Sequence, residues 1–201
     1  MRAVDASLAR ALVDAGAAGL SALTEPTRFG GSPEILATAV RAGAPALMKD
    51  FVVTERQLDL AQRAGASAVL LILPLLTREH GEWASPEEAI AAAHARGLEV
   101  LLEVYDDEEY LLATLVGADL LGINNRDLRD DALPVDPDRT MGVLARCGGA
   151  DAPVLALSGA RDASDVRAQV KAGARGVLVG TALMKAADPP AKLRELQEGL
   201  R

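Results

Sequence analysis

One short phrase recurs along this chain and constrains its fold more than any other feature: a helix-like stretch, then Gly-Ala, then a brief apolar run. Gly16-Ala17 stands before Leu20-Ser21-Ala22-Leu23, Gly43-Ala44 before Ala46-Leu47-Met48, and Gly65-Ala66 before Val69-Leu70-Leu71-Ile72. Gly117-Ala118 precedes Leu120-Leu121-Gly122-Ile123, Gly173-Ala174 precedes Val177-Leu178-Val179, and Gly97 does the same before Val100-Leu101-Leu102. A glycine at that point predicts the left-handed residue that ends a helix. Apolar runs without alternation predict parallel strands covered on both faces. Helix starts fall between them at Ser32-Pro33, Thr54-Glu55, Ser85-Pro86, Asp106-Asp107, Asp136-Pro137 and Asp162.

Counting these runs together with Val154–Leu157 gives seven strands, near 19–23, 46–49, 68–72, 99–103, 120–123, 154–157 and 176–179. A helix over about 6–15 precedes the first and another over about 190–200 follows the last. No linker divides the chain, so 1–201 reads as a single domain. A doubly wound open sheet would carry a Gly-rich dinucleotide fingerprint after its first strand. Gly30-Gly31-Ser32 is only a fragment of one. The expected class is therefore α/β, a parallel (β/α)8 TIM-barrel type truncated to about seven strands. Opening such a barrel leaves the strands at Leu20–Leu23 and Val177–Val179 as edges, which invites self-association.

Composition narrows the function. Half the residues are hydrophobic but only 2% are aromatic, so the core must be Leu, Val, Ile and Ala. Net charge is −8, and no Lys/Arg cluster interleaves with aromatics, which argues against a nucleic-acid partner. Cys147 is the single cysteine, on a predicted helix end, which excludes an internal disulfide and any multi-cysteine metal site. His80 and His94 lack a ligand partner at metal spacing, and His94 reads as a structural residue of an Ala-rich helix. No signal-like segment and no run of about 18 apolar residues appears, so the expected location is cytoplasmic, with no membrane partner.

Polar side chains gather where strands end, which is where a parallel barrel does its chemistry. Lys49 follows Leu47-Met48; a partly desolvated lysine there can serve as a general acid. Glu103 closes a Val/Leu run, and a carboxylate at that depth is costly unless paired or functional. Asn124, Asn125 and Arg126 end the next strand, with groups suited to hydroxyl, carboxylate or phosphate recognition. Ser158-Gly159 and Gly180-Thr181 follow the last two strands, the frequent position of a barrel phosphate site. Plainer accounts are a solvated lysine, a carboxylate paired with an arginine, an Asn-rich turn and ordinary glycine turns.

These residues, in this order, resemble the indole-3-glycerol phosphate synthase family of tryptophan biosynthesis. The segments that carry the resemblance are Leu20-Ser21-Ala22-Leu23-Thr24-Glu25-Pro26-Thr27-Arg28-Phe29-Gly30-Gly31-Ser32 and Met48-Lys49-Asp50-Phe51-Val52-Val53, with Leu102-Glu103-Val104. Gly122-Ile123-Asn124-Asn125-Arg126-Asp127-Leu128, Ser158-Gly159 and Val179-Gly180-Thr181-Ala182-Leu183-Met184 complete it. The resemblance implies a carboxy-lyase that closes a ring on a carboxyphenylamino-deoxyribulose phosphate, with loss of CO2 and water and no metal or organic cofactor. It implies Lys49 as the general acid in ring closure, Glu103 as the proton shuttle in dehydration, and Asn124 on a substrate hydroxyl with Arg126 beside the site. Ser158, Gly159, Gly180 and Thr181 would hold the phosphate; Phe29, Phe51 and Leu70–Leu73 would wall the aromatic ring. Two departures stand out. The family's first strand, with its Glu-x-Lys pair and Ser-Pro-Ser turn, would lie ahead of Met1, and Met1–Asp5 reads as the middle of a loop. The family's Ser-Glu-Ser-Gly turn reads Ala156-Leu157-Ser158-Gly159 here. Two further readings fit the residues: another phosphosugar barrel, isomerase or epimerase, and a catalytically dead barrel that binds a phosphorylated ligand or a partner subunit.

Overall fold

Strand and helix alternate along the chain in the computed structural model, which describes residues 5–77 and 79–201. Most of Met1–Asp5 therefore lies outside the described residues. The chain groups into two compact units: the described residues up to Leu102 with Val116–Asp119, and Glu103–Leu115 with Leu120–Arg201.

The first unit holds α1 (Ala6–Asp14), β1 (Leu20–Leu23), α2 (Pro33–Arg41), β2 (Ala46–Lys49), α3 (Glu55–Ala64), β3 (Ala68–Ile72), α4 (Pro86–His94) and the start of β4 (Glu99–Val104). Its strands lie in the order β1-β2-β3-β4. β1 and β2 are parallel with Leu20 opposite Ala46 and Leu23 opposite Lys49, and β2 and β3 are parallel with Leu47 opposite Ala68. Start signals hold up locally. The Asp5 carboxylate accepts from Leu8 N at 2.8 Å, and Thr54 and Gln57 form a capping box that opens α3. All five residues of β3 are buried, as a strand covered on both faces requires. Leu36 of α2 and Leu58 of α3 are fully buried; truncating either to alanine costs about 2–5 kcal/mol.

The second unit holds the end of β4, α5 (Asp107–Ala113), β5 (Leu120–Asn124), α6 (Arg139–Cys147), β6 (Val154–Leu157), α7 (Ala163–Lys171), β7 (Gly176–Leu178), α8 (Thr181–Lys185) and α9 (Pro189–Gln197). The order is β4-β5-β6-β7, with β5–β6 and β6–β7 parallel. Seven strands among the described residues, each beside its predecessor and separated from it by helix, give the repeat of the (β/α)8 class. All six glycines expected to end helices take positive φ, from 69° at Gly97 to 117° at Gly173.

Three expectations need correction. The helix expected from Asp136-Pro137 begins at Arg139, because Asp136 N donates to Asn125 O at 2.8 Å and Val135 bridges Arg126, holding that stretch extended. α8 has no counterpart in the sequence reading; it is five residues long, with no capping side chain. The strands were expected to be covered on both faces throughout, yet every residue of β7 is half-exposed and Ser21 of β1 is exposed. β1 and β7 are the end strands, each paired with one neighbour among the described residues.

Candidate active site

In the first unit, polar residues just past the strand ends shape the chain around Lys49. Lys49 is half-buried at the end of β2, and its carbonyl accepts from Thr24 N at 3.0 Å. The Thr24 hydroxyl donates to Asp50 Oδ2 at 2.5 Å, tying the ends of β1 and β2, while Asp50 Oδ1 accepts from Phe51 N at 2.8 Å. Asp50 is thus a turn former. Gln57 reaches back from α3: its amide donates to Phe51 O at 2.9 Å, and its Oε1 accepts from Val53 N at 2.9 Å and Thr54 N at 3.2 Å.

Glu25 does the same for the segment after β1. Its carboxylate is buried and accepts from the backbone N–H groups of Thr27, Arg28 and Phe29 at 2.7, 2.7 and 2.9 Å. Burial pushes the carboxyl up, but these bonds outweigh it and hold it below the usual range. Gly31 N donates to Glu25 O at 2.7 Å, and a Cβ at Gly31 would lie 2.5 Å from Leu23 O, so glycine is required there. The outcome is that Phe29 and Phe51 face one another, ring centroids 6.2 Å apart. Leu70, Leu71 and Leu73 are buried at the end of β3 and just past it.

In the second unit the polar groups reach across the sheet. Glu103 is 2% exposed near the end of β4, and its Oε1 accepts from Asn124 Nδ2, at the end of β5, at 2.8 Å. Asn124 Oδ1 accepts from Arg126 N at 2.9 Å, which turns the amide donor toward Glu103. Arg126 is half-buried, and its guanidinium donates to Leu133 O at 3.0 Å, bracing the segment that connects β5 to α6. Asn125 is fully buried and touches both the turn after β6 and the start of α6. Ser158 and Gly159 are half-buried with φ of 64° and 86°; Gly180 and Thr181 are exposed at the start of α8. Leu157, where the resemblance led one to expect glutamate, is a buried apolar residue ending β6.

One feature has no sequence signal. The Tyr105 ring, just past β4, lies between the guanidinium carbons of Arg129 and Arg139, 4.1 and 4.0 Å from its centroid. Burial raises the Tyr105 hydroxyl above its ordinary value, against the pull of Arg139. Arg129 is also paired with Asp127 at 3.1 Å, and its bond pulls Asp127 down. No spacing rule joins residue 105 to 129 and 139. The remaining candidates are structural. His94 Nε2 lies 2.8 Å from Asp119 Oδ2, which also accepts from Val100 N at 2.8 Å, so the pair pins α4 to the start of β4. Cys147 is the last residue of α6. Among the described residues no group of three or more His, Cys, Asp or Glu could hold a metal ion, and no helix is long and apolar enough to cross a membrane.

A buried carboxylate is thus fixed by an amide at strand ends, and glycine-bearing turns follow the last two strands of a protein of the parallel βα-repeat class. Comparison with known proteins specifies it. The family model for indole-3-glycerol phosphate synthase matches residues 1–196. Indole-3-glycerol phosphate synthase 2 of Streptomyces coelicolor is 42% identical over 193 residues, covering 95% of this chain and 71% of that protein. The Halobacterium salinarum indole-3-glycerol phosphate synthase is 44% identical over 181 residues, 89% of this chain and 67% of that one. In fold, a thiamine phosphate pyrophosphorylase of Pyrococcus furiosus is similar, with a TM-score of 0.69 at 24% identity, covering 96% of this chain and 88% of the other. The chain belongs to the indole-3-glycerol phosphate synthase family.

Proposed function

We propose that the chain, acting as one βα-barrel domain, carries out its family's reaction. It closes the indole ring of a carboxyphenylamino-deoxyribulose phosphate, as a carbon–carbon lyase of tryptophan biosynthesis. The aromatic carbon that bears the carboxylate attacks the keto carbon of the sugar-derived chain. Lys49 Nζ delivers a proton to the ketone oxygen, which becomes a hydroxyl. The bond to the carboxylate breaks, CO2 leaves, and the electron pair restores the aromatic ring. Glu103 then takes a proton from the sugar-derived CH2 on the ring nitrogen and returns it to the new hydroxyl, which leaves as water as the ring C=C forms. Asn124 orients Glu103 and offers its second amide hydrogen to a substrate hydroxyl. Ser158, Gly159, Gly180 and Thr181 take the phosphate, with Arg126 beside them. Phe29, Phe51 and Leu70–Leu73 wall the ring.

The observation that carries this reading is the pair at the end of β4 and β5: a carboxylate 2% exposed, with an amide donor 2.8 Å away. A carboxylate kept that dry costs folding free energy, which function repays. We place the chain in the cytoplasm, with a phosphorylated small molecule as partner, neither nucleic acid nor membrane, and a second copy joined through an end strand. The test is fluorescence detection of indoleglycerol phosphate from the purified chain. Turnover that falls about 100- to 10,000-fold in Lys49→Ala is the expected result. A folded chain that forms no product, or whose Lys49→Ala variant keeps full turnover, would contradict it. Sedimentation velocity on the same sample reads the self-association; a strictly monomeric chain would remove that part.

A further inference from the structure

We propose that Asn125 is the positioning residue of the phosphate turn, setting the peptide between Ser158 and Gly159 so that the Gly159 N–H faces the anion. The inference rests on the reading of Ser158–Gly159 as part of the phosphate site.

Ser158 is one of two non-glycine residues with positive φ among those described, and Gly159 continues in the same region. A side chain in that conformation is uncommon and persists where its surroundings over-determine it. Two bonds do so here. Ser158 N donates to Leu178 O at 3.3 Å, and Asn125 Nδ2 donates to Ser158 O at 3.0 Å. The peptide is planar and trans, so fixing its carbonyl on one side aims its N–H at the other. That N–H makes no hydrogen bond among the described residues.

The amide that does the fixing cannot turn. Thr140 N, a donor without ambiguity, bonds Asn125 Oδ1 at 2.9 Å, and the Thr140 hydroxyl lies 2.8 Å from the same oxygen. Flipping the amide would set two donors face to face and leave a buried carbonyl facing Ser158 O. The backbone of Asn125 is equally committed: its N–H donates to Leu157 O at 2.9 Å and its carbonyl accepts from Asp136 N at 2.8 Å. The side chain is 0% exposed. Packing closes the arrangement, because a Cβ at Gly159 would lie 3.4 Å from both Asn125 Cβ and Nδ2. One buried amide thus transmits the position of β5 to the turn after β6.

Asn125→Asp isolates the claim, because it keeps the acceptor for Thr140 and removes the donor to Ser158. Calorimetric titration with inorganic phosphate and steady-state kinetics on the phosphorylated substrate are the readouts. The expected result is a phosphate affinity weaker by about tenfold, with KM rising by a similar factor and kcat falling far less. Adding Ser158→Gly, which adopts positive φ without help, should restore much of the affinity. Thr140→Val, which removes one of the two bonds to Asn125 Oδ1 and keeps the other, should cost less phosphate affinity than Asn125→Asp. If the carboxylate unfolds the chain, Asn125→Ser serves in its place. Wild-type phosphate affinity and KM in the Asn125 variant overturn the inference. Gly159→Ala, which strains the turn itself, separates the two levels. If it loses phosphate and Asn125→Asp does not, Asn125 is wrong and the phosphate site stands. If both bind phosphate as wild type does, or if the wild-type chain binds none, the phosphate reading falls.

Discussion

The segment around Lys49 and the segment around Glu103 are built by opposite means. Around Lys49 most shaping bonds are short in sequence. Glu25 holds the N–H groups two, three and four residues on, Gln57 holds groups three to six residues back, and Asp50 holds its own neighbour. Around Glu103 they are long: 21 residues from Asn124 to Glu103, 15 from Thr140 to Asn125, and 33 from Asn125 to Ser158. Local caps form with the turn they stabilise and fail alone. A buried long-range network is fully satisfied or costly, so one lost member is felt at several strand ends. The difference predicts that substitutions of the shaping residues Glu25, Asp50 and Gln57 act on one segment, whereas those of Asn124 and Asn125 act on the reaction.

The largest effect expected from that comparison is at Asn124. Asn124→Ala removes one donor to a buried carboxylate and the bond that orients it, so kcat should fall about a hundredfold while the chain still folds. Activity near wild type would mean the long-range bond is packing and nothing more. The smallest effect is at Glu25, and it is a matter of pH. Its folded value is depressed below the ordinary 4.5, so its contribution is present in full above that pH and is lost as pH falls through the folded value. Thermal scans of wild type and Glu25→Gln should therefore differ at neutral pH and converge in acid. Amide exchange should quicken at Thr27, Arg28 and Phe29 alone. A uniform loss of protection across the first unit would erase the distinction between the two regions.

That same division explains what could be read from the sequence. A helix-ending glycine before six of the runs, and the apolar run alone at Val154–Leu157, exposed the seven strands found among the described residues, because both are local signals. Polar residues at the ends of those runs marked Lys49, Glu103 and Asn124 for the same reason. The late start of α6 was hidden, since Asp136 spends its N–H on Asn125, a partner that spacing does not announce. The clasp of Tyr105 between Arg129 and Arg139 and the role of Asn125 were hidden likewise. The half-exposure of β7 depends on its having one neighbour, a property of the sheet and not of Gly176-Val177-Leu178.

The central claim is a division of labour, with Lys49 serving ring closure and Glu103 serving dehydration. It is tested by following two products in one single-turnover experiment: CO2 released from the labelled substrate carboxylate, and indole fluorescence. Glu103→Gln should release CO2 and stall before the fluorescent indole forms, because decarboxylation precedes the step it serves. Lys49→Ala should release neither. A Glu103→Gln enzyme that retains its CO2, or a Lys49→Ala enzyme that releases it at the wild-type rate, would contradict the account.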